Sequence, residues 1–146
     1  MAKRDGSGNT TKNSKVVVLL QSKSVLTRPW VILEIYTAIT HGVPVVALNV
    51  QNSYPYSYGE ALEFLAHFDQ EIEIANPGAA QMLIDFGIDP QDVAYRLSEV
   101  LPSIISVDFN PNASSFVLDA MVAELKHSMD RAVPQSPTLS KEEWLI

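Results

Sequence analysis

The sequence predicts an α/β domain, a parallel sheet with helices on its faces. Three segments read as strands, Lys15 to Gln21, Val45 to Val50 and Ile104 to Phe109, and the first is an unbroken β-branched and apolar run. Unbroken runs of this kind suit strands covered on both faces. Helical segments separate them, and strands alternating with helices argue for parallel order. A length of 146 residues fits one domain, which buries roughly two thirds of its unfolded surface and so supports a core.

Residues 1–14 are polar and rich in Gly, Ser, Thr and Asn, and they read as a disordered leader. Gly6 to Lys12 has the glycines and lysine of a phosphate loop, but it lacks the preceding strand, the glycine directly before the lysine and the following helix. After the first strand, Ser22 to Thr27 form a serine-bearing turn. A helix is expected from Arg28 to Thr40, with Pro29 near its first position and Gly42 at its left-handed stop. Pro44 lacks a ladder donor, so it belongs at the entrance of the second strand.

Gln51 to Tyr58 reads as a polar loop bearing three tyrosines, Tyr54, Tyr56 and Tyr58, which form a contact surface or pack on the body. A helical stretch from Gly59 to Phe68 precedes an acidic segment with Asp69, Glu71 and Glu73. Asn76-Pro77-Gly78 opens a short helix closed at Gly87, and Asp89-Pro90 starts another that runs to Val100. The last helix, Ser114 to Met129, carries Phe116, Val117, Met121, Val122 and Leu125 as its apolar stripe. From 131 to 146 the chain is Pro/Ser-rich and is expected to be a flexible tail, with a terminal turn capped by Ser140 and Glu143.

Charge narrows the partners. The first fifteen residues carry +3 of a total of −7, which leaves −10 on the rest. Such an acidic body repels phosphate backbones, so no nucleic-acid partner is expected. No apolar run approaches the roughly 20 residues of a membrane helix, and the leader has no secretory apolar stretch. A cytoplasmic location and no membrane partner follow as expectations. The chain has no cysteine, and His41, His67 and His127 lack close ligand spacing, so no metal site is expected. The serines sit in no nucleophile elbow.

The strand count raises a difficulty. A run as apolar as Val16 to Leu20 belongs inside a sheet, yet no earlier strand supplies a neighbour, and an uncovered hydrophobic edge invites aggregation. Either another chain covers that edge, or an N-terminal half is absent from this sequence.

Lys15 to Val50 resembles the third strand, third helix and fourth strand of the TIR (Toll/interleukin-1 receptor) family. The carrying residues are Val16-Val-Val-Leu-Leu20, Trp30-Val-Ile-Leu-Glu34, Ile35, Thr37-Ala38, Gly42 and Val45-Val46. Ile104 to Phe109 and the helix after it resemble the family's last strand and helix. The likeness covers residues 15–130 as a partial domain, although Asn76 to Val100 is longer than the usual connection. The resemblance implies a flavodoxin-like sheet of order 2-1-3-4-5, truncated here by its first two strands. The missing first strand would then lie against the edge already singled out.

The resemblance also carries function. Some TIR domains cleave NAD at the nicotinamide–ribose bond with the glutamate of this helix, and others only assemble signalling complexes. Matched residue by residue, that glutamate is Glu34 as the candidate catalytic carboxylate, with Trp30 one turn earlier on the same face. A carboxylate can stabilise the positive charge that grows on the ribose. Trp30, Ser24 and Arg28 are candidate substrate contacts, the last two because they lie in the turn before the helix. NAD enters as a substrate, with no cofactor implied, and the partners are other TIR domains or a second copy. The alternative is a non-enzymatic interaction module, and by itself the truncated chain is expected to be a poor hydrolase or none.

Overall fold

The computed structural model describes residues 16–52, 54–137 and 139–145. The expected leader lies outside these. The sheet has three parallel strands in the order β1 (Val17–Gln21), β2 (Val45–Val50) and β3 (Ser106–Phe109). Val17 pairs with Val45 and Gln21 with Asn49, while Ala47 pairs with Ser106 and Val50 with Phe109. Pro44 stands at the entrance of β2, as expected, and its carbonyl accepts the Val17 N–H at 2.9 Å.

Six helices precede the C-terminal turn: α1 (Pro29–Thr40), α2 (Tyr58–Ala66), α3 (Phe68–Ala75), α4 (Ala79–Asp85), α5 (Pro90–Val100) and α6 (Ser115–Arg131). Gly42 closes α1 and Gly87 follows α4, at φ 68° and 78°, backbone that a Cβ disfavours. Ser57 caps α2 by accepting the Glu60 N–H, and Asp89 caps α5 through Gln91. The acidic segment at 69–73 belongs to α3. Its Phe68 and Ile72 are buried four residues apart, while Asp69, Glu71 and Glu73 turn away from them. Two apolar residues at helical spacing outweigh the charges around them.

One face of the sheet carries the core. Val17, Leu19, Val45 and Ala47 pack with Ile32, Ile35 and Ala38 of α1 and with the apolar sides of α2 to α5. The opposite face, formed by the alternate residues Val18, Leu20, Val46, Leu48 and Val107, is covered by α6, which packs over β3 and β2. Val46 and Val107 are buried there, but Leu20 is 54 % exposed. The expected α6 stripe divides. Met121 and Leu125 are half-buried, whereas Phe116, Val117 and Val122 face solvent.

The Val17 N–H turns toward β2, so Leu19 and Gln21 do the same by alternation, and Val18 and Leu20 turn their backbone outward. Among the described residues no strand meets that side. Val18 therefore presents an unpaired ladder position at an uncharged edge.

Residues 131–146, expected to be a flexible tail, are tied to the body across their described part. The Gln135 amide donates to Val45 O at 2.7 Å and accepts from Val45 N at 3.0 Å, supplying a ladder step where β3 has not yet begun. The Tyr95 hydroxyl donates to Leu139 O at 2.6 Å, and the Trp144 ring stands 5.8 Å from that of Tyr95. The terminal turn (Lys141–Trp144) is capped as expected, with Ser140 Oγ accepting from Glu143 N. The Pro/Ser composition concealed these anchors because Gln135, Leu139 and Trp144 are isolated residues with no periodic apolar pattern around them.

Among the described residues no helix is long and apolar enough to cross a membrane.

Candidate functional site

The carboxyl ends of parallel strands are where open α/β sheets bind ligands. Here the loops after β1 and β2 meet. In the first, Ser24 adopts a left-handed backbone, φ 63°, the one non-glycine residue among those described to do so. Its carbonyl accepts both the Thr27 hydroxyl at 2.7 Å and the Thr27 N–H at 3.1 Å. Val25 and Leu26 in the same turn are buried, and the Asn76 side chain donates to Thr27 O. The turn is thus held from the core and from the α3–α4 connection.

Gln21 ends β1 with a side chain 1 % exposed. It reaches over the small Ala47, where its Oε1 accepts from the Ser106 hydroxyl at 2.6 Å, and it donates to Tyr58 Oη at 3.3 Å. This links β1, β3 and the start of α2. Tyr56 and Tyr58 meet edge to face at 5.2 Å. Burial of Tyr56, with Tyr58 beside it, pushes its phenol up to about 12, so it remains a hydrogen-bond donor at neutral pH.

Between the two loops lies a cavity of about 160 Å³, walled by Lys23, Ser24, Leu26, Tyr56, Glu60 and Phe64 among others. Sites for drug-sized ligands occupy roughly 300–1,000 Å³, so this one takes a small molecule and not a dinucleotide. A second cavity, about 260 Å³, lies at the opposite end of the sheet, beside Val45, Ile105 and Gln135. A third, about 750 Å³ and open, lies between α3, α4, α5 and Trp144. Asp69 and Asp89 line it with no cationic side chain, which disfavours a pyrophosphate.

The four expected site residues separate. Ser24 lines the cavity at the strand ends, but Arg28, Trp30 and Glu34 line none of these three. Arg28 is exposed at the start of α1, where its side chain makes no capping bond. Trp30 is 59 % exposed and meets the exposed Phe86 edge-on, centroids 5.7 Å apart. Glu34 is exposed, and among the described residues no hydrogen bond or ion pair holds its carboxylate. Trp30 and Glu34 therefore share a helix stripe open to solvent.

Sequence reasoning missed Lys23, Tyr56, Ser57 and Glu60 as one wall. The Ser57-x-x-Glu60 spacing is a helix-start signature, and placing the helix there brings Glu60 toward the β1 turn. Among the described residues no group of three or more His, Asp or Glu could hold a metal ion.

Away from the strand ends, Asp92 of α5 accepts from the Tyr36 hydroxyl at 2.6 Å and from Arg96 Nε at 2.9 Å, with Lys141 Nζ at 3.6 Å. Burial pushes the Asp92 carboxyl up, but these hydrogen bonds and cations outweigh it and hold the group below its usual range. Burial and the Asp92 contact push the Tyr36 phenol up to about 12. This cluster fastens α1, α5 and the C-terminal turn together, and it adjoins neither Ser24 nor the strand ends.

Comparison of the chain with family models, curated proteins and solved structures finds no match.

Proposed function

We propose that the chain is a TIR-type signalling module that works by association, its sheet continued beyond β1 by a strand of another TIR domain or a second copy. The observation that carries this reading is the β1 edge, which no strand meets among the described residues: Val18 turns unpaired backbone outward, and the Leu20 side chain beside it is exposed. Native chains blunt such edges with charge, proline or a covering element, and Val16 to Gln21 has none of these residues. In this reading β1, β2 and β3 are the third to fifth strands of a truncated flavodoxin-like sheet, whose order places the first strand against β1. The consecutive parallel order supports that register.

Cleavage of NAD at the nicotinamide–ribose bond belongs, in this reading, to the completed form alone. Glu34 would supply the carboxylate and Trp30 an aromatic wall, both standing on the solvent-open stripe of α1 until further loops cover it. The strand-end cavity is too small for a dinucleotide, so Arg28 and Ser24 would meet the substrate only once further loops complete the site. A cytoplasmic location accompanies both roles.

An NAD consumption assay separates them. The chain alone should consume no NAD, and a form extended upstream by two TIR-type strands with their helices should consume it and lose that activity with Glu34→Ala. Turnover that survives Glu34→Ala would overturn the catalytic role. An extended form with no turnover would leave association as the whole function.

A further inference from the structure

We propose that the cavity between the β1–α1 and β2–α2 loops binds a free α-amino acid with a compact apolar side chain, a role independent of the association described above. Its wall carries one cation and one anion, Lys23 and Glu60. Among the described residues neither enters an ion pair, and Lys23 Nζ instead stands 6.0 Å over the Tyr54 ring. A simple anion entering the cavity would meet Glu60, and a simple cation would meet Lys23. A zwitterion satisfies both, its carboxylate toward Lys23 and its ammonium toward Glu60.

Size and polarity narrow the side chain. A dry cavity of roughly 150 Å³ admits benzene, so about 160 Å³ takes an aliphatic body of leucine size and little more. Val25, Leu26, Ala61 and Phe64 supply the apolar wall for it. Tyr56 belongs to the same wall, and its Oη is buried with no hydrogen-bond partner among the described residues. A buried unpaired hydroxyl is unfavourable, and a ligand carboxylate oxygen reached by a small movement of the ring would relieve it. Ser24, held in left-handed backbone at the rim, is local strain of the kind that collects at binding sites.

Calorimetric titration of the full chain tests this with three probes: L-leucine, 4-methylpentanoate, which lacks the ammonium, and isopentylamine, which lacks the carboxylate. Leucine should bind with one-to-one stoichiometry, and each half-ligand about tenfold or more weakly, the loss of one charge-assisted contact. Lys23→Met should weaken leucine by a similar factor while leaving isopentylamine unchanged, and Glu60→Gln should do the converse with 4-methylpentanoate. Both side chains are exposed, so the variants should keep the parent melting temperature, which shows that any loss is local. No heat with leucine at millimolar concentration would overturn the proposal. So would equal binding of all three probes, or leucine binding indifferent to both substitutions.

Discussion

Helices α1 and α6 lie against opposite faces of one sheet, and their fates differ. The shorter helix, α1, buries Ile32, Ile35, Thr37, Ala38 and Ile39, while the 17-residue α6 buries no residue at all. Local sequence explains part of the difference, because α1 is apolar almost throughout while α6 carries Asp119, Glu124, Lys126, Asp130 and Arg131. α6 is well capped, with Ser114 Oγ accepting from Val117 N and Arg131 in its last turn. The rest lies in what surrounds each helix. α1 is flanked by α4 and α5 as well as by the sheet, whereas among the described residues α6 packs chiefly on β3 and β2. Burial is a property of the neighbourhood, and one face of this sheet has few neighbours.

Substitutions in the two layers should differ most. Phe68→Ala and Ile35→Ala, on the crowded side, should each cost about 2–5 kcal/mol in urea denaturation. Phe116→Ser and Val122→Ala on α6 should stay within about 0.5 kcal/mol. A large cost at Phe116, which is 84 % exposed here, would mean that α6 is covered in solution and would sharpen the comparison toward assembly.

The Asp92 cluster ranks next. Asp92→Asn should cost about 1–3 kcal/mol by removing charge from two close hydrogen bonds. The Asp92 carboxyl is held low in the folded state, so its contribution is complete above the unfolded carboxylate value and fades as pH falls through the folded one. Acid unfolding of the parent should therefore be steeper than that of Asp92→Asn. Tyr36 has the opposite sign: its contribution is complete below 10.0 and lost as pH rises through about 12, a loss that Tyr36→Phe should not show.

Two smaller effects complete the series. Gln135→Leu removes both hydrogen bonds to Val45 and should cost about 1–2 kcal/mol, with faster amide exchange at Val45 as the readout. Ser24→Gly should stabilise by at most about 1 kcal/mol, because glycine adopts φ 63° without a Cβ penalty. A destabilised Ser24→Gly would show that the hydroxyl has a packing role.

Much of the fold was legible because strands and helix stops leave local marks. Val45 to Val50 is apolar throughout, Pro44 precedes it, and Gly42 and Gly87 sit where left-handed backbone is needed. Helix α3 was less legible, since Asp69, Glu71 and Glu73 masked the pair Phe68 and Ile72. The stripe on α6 was legible in part: Met121 and Leu125 are half-buried as an amphipathic reading expects, whereas Phe116, Val117 and Val122 face solvent. Of the candidate site, Ser24 was legible from its place after β1. Tyr56 and Glu60 come to it through the β2–α2 loop, a tertiary meeting that one-dimensional spacing does not encode.

The account rests on the β1 edge, and sedimentation velocity over a wide concentration range tests it, comparing the parent with Val18→Pro. The Val18 N–H points away from β2, so proline there removes an outward donor and no bond of the described sheet. The account predicts concentration-dependent association of the parent and a monomeric Val18→Pro with a nearly unchanged melting temperature. A parent that is monomeric throughout, or association indifferent to Val18→Pro, would contradict it.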